Sequence, residues 1–183
     1  PHRWLAIRTN SVRSGSVNPP DLPEAYALHR HVLEVVPFFL SISALDVEHL
    51  ELLYGFDLEC PGDHDQVVHD ALLSGTRLGV LGDMPGASPV DCQPMFGVRL
   101  DDPAQIEAHM EVKTRTGGPS ADGRRTREAE SISVYLVLRS MAQVSDVTRL
   151  VANFDRLRRH GEDLIESRIV PEIIRPLREE IGA

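Results

Sequence analysis

The chain has 183 residues, of which 42% are hydrophobic and 26% charged, and it carries a formal net charge of −9. That length and composition suit one packed domain over residues 1–183 and exclude a disordered, collagen-like or low-complexity chain. Its cysteines, Cys60 and Cys92, are too few for a disulfide framework and lack paired metal-ligand spacing, so a reducing, cytoplasmic setting is expected.

Residues 4–9 read as a first strand, and the Ser, Gly, Asn and Pro content of residues 11–20 reads as loop. A helix follows. Asp21 suits its N-cap and Pro23 its first turn, while Leu22, Tyr26, His29, Leu33 and Val36 recur at helical spacing as far as Pro37. His29 lies on that apolar stripe as a packed, hydrogen-bonded histidine, and His31 points away from it, so the two are not joint ligands.

Residues 47–59 alternate as a strand, with Leu50, Leu52, Tyr54, Phe56 and Leu58 on one face and a mainly acidic opposite face. Pro61-Gly62 ends it. Asp63 then caps a short helix, Gln66 completes a capping-box pattern, and Gly75 stops the helix. Residues 79–89 are irregular by their Gly and Pro content. A three-strand meander follows, in which Ile106, Ala108, Met110, Val112 and Thr114 share a face and residues 132–138 are apolar enough to be central. The strongest helical stripe runs from Val147 to Ile169, with Ser145 as its cap and Pro171 as its stop or kink; Ile173, Ile174, Leu177 and Ile181 continue it as a bent terminal helix. Taken together, these elements predict α+β: a mixed or mainly antiparallel sheet of about five strands, helices on one face, and a long C-terminal helix.

Charge is unevenly placed. Residues 21–100 hold 13 acids against three arginines, and residues 46–70 hold eight acids and no Lys or Arg. Such a face repels phosphate backbones, which makes nucleic acid an unlikely partner and a cation or basic protein a better one. No window of about 18 apolar residues marks a membrane span, and the N-terminal residues lack a signal-peptide core.

The densest group of potential ligands is Asp57, Glu59, His64, Asp65 and His69, where a strand end meets a helix start. Asp57 and Glu59 point the same way from a strand, and Asp65 and His69 share a helix face, so these five could hold a divalent metal. Helix capping accounts for several of the same residues. The dipeptides His64-Asp65 and His69-Asp70 resemble the paired ligands of the HD phosphohydrolases; that family is all-α, the strand-rich pattern here departs from it, and no function is carried over. Arg124, Arg125 and Arg127 sit in a polar loop between two strands, where they could grip an acidic partner. Lys113 is the sole lysine, and Cys60 or Cys92 would be nucleophilic only beside a histidine such as His64. Phosphate-loop, dinucleotide, nucleophile-elbow and His-Glu-x-x-His motifs are all missing from the sequence. The reading that follows is a self-associating protein-interaction or structural domain with no predicted cofactor; the alternative is a metal-dependent enzyme, perhaps a hydrolase, at the 57–69 cluster.

Overall fold

The computed structural model describes residues 2–114 and 131–183, and its architecture is α+β. Its main layer is a four-stranded antiparallel sheet in the order β3 (Leu50–Glu59), β6 (Ser131–Ser140), β5 (Ile106–Thr114), β4 (Met95–Arg99). The helices α1 (Leu22–Phe39), α2 (His64–Leu72), α3 (Leu150–Leu164) and α4 (Arg175–Ile181) complete it, with a separate two-stranded hairpin of β1 (His2–Arg8) and β2 (Ser11–Val17).

Period-two alternation creates the core. Leu52 and Tyr54 of β3, Ile132, Val134, Leu136 and Leu138 of β6, and Ile106, Ala108 and Val112 of β5 all point to one face and are buried. Against that face pack Val68 of α2, Phe154 and Leu157 of α3, and Leu177 of α4. β6 is central, as its apolar run predicts. The opposite face carries a cross-strand row of alternating charge: Glu51 faces Arg139, Arg139 faces Glu107, and Glu107 faces Arg99. Arg139 donates to Glu51 at 2.6 Å and Arg99 to Glu107 at 2.9 Å.

A polar joint ties α1, β3 and α3 together. The Tyr26 and Tyr54 hydroxyls lie 2.9 Å apart, Phe154 meets Tyr26 edge to face, and the Arg158 guanidinium stacks over the Tyr26 ring. Burial pushes both phenols above their ordinary pKa. Gly161 is required there, because a Cβ would sit 2.5 Å from the Tyr54 ring.

Several local expectations change. Residues 11–17 are strand rather than loop, because their main chain pairs along the whole of β1 despite a loop-like composition. Gly15 in that strand is the seat of the Trp4 ring, which a Cβ would strike. Pro171 does not stop the C-terminal helix, which continues through a π-helical segment, Ile165–Ile174, into α4. The wider turn absorbs the residue that has no N–H to give. The cap before α3 is Asp146, whose carboxylate accepts from the Thr148 N–H, in place of Ser145. Gln66 makes no capping box; its amide donates to Asp70 at 2.8 Å. The Asp21 and Asp63 caps stand as predicted.

Candidate functional site

The acidic and histidine-rich segment folds into β3, a turn and α2, and each of its side chains is used differently. Asp57 accepts from the Ser133 hydroxyl at 2.6 Å across the β3–β6 ladder. Glu59 is exposed at the strand end. His64 donates through Nε2 to the Cys60 carbonyl at 3.0 Å, closing the turn that precedes the helix. Asp65 is 1% exposed, and its Oδ1 accepts from the Thr114 hydroxyl at 2.6 Å and the Cys92 N–H at 2.9 Å. One buried carboxylate thus joins α2, β5 and the segment leading into β4.

His69, one helical turn later, is 5% exposed. Its Nδ1 lies 3.0 Å from Asp70 Oδ1, and its Nε2 lies 3.2 Å from the Gly79 carbonyl and 3.6 Å from Asp83. A carbonyl and a carboxylate are acceptors only, so both ring nitrogens donate, which is the imidazolium pattern. The Asp70 hydrogen bond, helped by the Gly79 carbonyl, accordingly raises the His69 pKa above its ordinary value. Gly79 and Gly82 close around the helix end: a Cβ at Gly82 would collide with the ring, and one at Gly79 with the Leu73 carbonyl. Asp83 adds a further tie by accepting from the Gly75 N–H.

These contacts make the cluster an anchor for residues 74–92. Among the described residues no three His, Cys, Asp or Glu side chains converge as a metal-holding group, and the hydrogen bonds of Asp65 and His69 run to separate partners. Cys60 and Cys92 are buried free thiols. Burial first, and the nearby Asp65 second, push the Cys92 thiol pKa up, away from nucleophilic character. Arg124, Arg125 and Arg127 lie outside the described residues.

What the anchored segment displays is apolar. Leu78, Leu81 and Val90 are 84%, 71% and 77% exposed, with Val80 and Met84 also outward. The series continues into β4, where Met95, Phe96 and Val98 are exposed as well. The signal was present as apolar residues interspersed in a Gly- and Pro-rich stretch, but composition gave no reason to expect that they stay outside. Comparison with family models, curated proteins and solved structures found no match. No helix among the described residues is long and apolar enough to cross a membrane.

Proposed function

We propose that this chain is a protein-contact domain that self-associates, and that its contact surface is the apolar segment 78–98. The supporting observation is the pairing of rigid support with outward apolar side chains. Asp65 and His69 commit buried hydrogen bonds to holding this segment in place, yet the segment turns Leu78, Leu81, Val90 and Phe96 to the outside. Large apolar side chains held outward in this number are what contact sites in proteins use. With a net charge of −9, the surface suits protein better than nucleic acid. The alternative, a metal-dependent hydrolase at Asp57, Glu59, His64, Asp65 and His69, has no geometric observation in its favour.

Sedimentation velocity across a concentration series tests the reading. The expected outcome is a sedimentation coefficient that rises with concentration to that of a defined oligomer. A single species at the monomer mass throughout would end it.

A further inference from the structure

We infer that two copies of this chain join their sheets through β4, antiparallel to itself about a two-fold axis at Gly97; the inference rests on the self-association proposed above and names its geometry.

Among the described residues the sheet has two edges, β3 and β4. On β4 the Pro94 carbonyl accepts from the Val112 N–H, and the Leu100 N–H donates to the Ile106 carbonyl. Peptide direction alternates along an antiparallel strand. Residues 94, 96, 98 and 100 therefore turn their main-chain groups toward β5, and Met95, Gly97 and Arg99 turn theirs outward. Among the described residues no strand pairs with that outer edge, and β4 is exposed along its whole length. It carries no Lys or Pro to guard it, which leaves a template for another strand.

The sequence Met95-Phe96-Gly97-Val98-Arg99 complements itself. With Gly97 opposite its own copy, Gly97 exchanges main-chain bonds with Gly97 and each Met95 with the other copy's Arg99, so every outward group is used. Phe96 then stands opposite Val98 of the second copy. Both lie on the helix-side face, because they pair with Met110 and Ala108 of β5, and the helices reach β3, β6 and β5. Phe96 at 68% and Val98 at 43% exposure would cover each other across the axis. Gly97 also leaves room for the His109 ring, which a Cβ would meet at 2.6 Å.

Charge distinguishes the two edges. β3 carries Glu51, Asp57 and Glu59 on its exposed face, so pairing it with itself would crowd carboxylates. The only charge on β4 is Arg99, paired with Glu107. Across the two-fold it would stand beside Met95, with Glu111 of the second copy one strand further on, flanked by acids on both sides. A two-fold contact of one patch with itself also closes, whereas β4 on β3 would leave free edges to grow.

Register-specific cross-linking tests this. Opposed residues in such a pair have Cα atoms about 4.5 Å apart, within disulfide reach, whereas residue 96 and its own copy are offset to roughly 8 Å, outside it. An equal mixture of Phe96→Cys and Val98→Cys under mild oxidation is expected to give a covalent dimer that neither variant gives alone, beyond the background of wild type. In parallel, Val98→Lys, a change at an exposed position, is expected to restore the monomer mass with an unchanged circular-dichroism spectrum. If wild type associates but the mixture does not cross-link, the β4 pairing is wrong while self-association stands. A wild type that stays monomeric at every concentration removes both.

Discussion

At the residue scale the informative side chains are buried and polar. Asp65 answers two donors, the Thr114 hydroxyl and the Cys92 N–H, that water cannot reach once the core has closed. Replacing it with Ala leaves both unsatisfied and is expected to cost about 2–4 kcal/mol in urea unfolding. Asp65→Asn keeps an acceptor and is expected to cost less. His69 gives the pH dependence. Its pKa is raised in the folded state by Asp70 and the Gly79 carbonyl, so its contribution is complete below the ordinary value of 6.5 and is lost as pH rises through the higher folded value. Unfolding measured in steps from mildly acidic to mildly alkaline pH is expected to show that loss, and His69→Gln to flatten it. Gly161 shows a purely steric requirement: Gly161→Ala forces the Tyr54 ring aside and is expected to cost about 1–3 kcal/mol, read as a lower denaturant midpoint.

At the element scale, the four-stranded sheet and the hairpin differ in support. β6 is paired on both sides and buried beneath the helices. The hairpin meets the rest mainly through α1, by an Arg3–Glu24 ion pair and the 2.8 Å contact of the Ser14 hydroxyl with His29. A two-stranded ribbon is marginally stable by itself. Amides of β1 and β2 are expected to exchange with deuterium well before those of β6, and equal protection would show that the ribbon belongs to the cooperative core. The Glu51, Arg139, Glu107, Arg99 row acts on register more than on stability, because exposed ion pairs contribute only about 0.2–1 kcal/mol each. A one-residue slip of any strand would turn those charges into the core.

For the whole molecule, charge and apolar surface oppose each other. Two copies at −9 each repel, whereas the contact proposed through Phe96, Val98 and an open strand edge calls on no ionic attraction. Added salt screens the repulsion, so association is expected to tighten with ionic strength in sedimentation experiments; weakening would point to ionic patches instead. The α+β class, the central β6, the acidic face of β3 and the Asp21 and Asp63 caps were legible in the sequence because each follows from local periodicity or from a carboxylate reaching a main-chain N–H a few residues away. The helix continuing past Pro171 was legible as an apolar stripe, though not its π-helical turn; the β2 strand and the engagement of Asp65 and His69 were not legible. They depend on partners that periodicity does not name: the β1 main chain for residues 11–17, Thr114 for Asp65, and Gly79 for His69. Composition named the residue types available at positions 57–69 and 78–98. Only the tertiary structure decided that Asp65 and His69 of the first group face inward as an anchor and the second group outward as surface, because burial follows from which elements pack over a residue, and a linear pattern does not contain that.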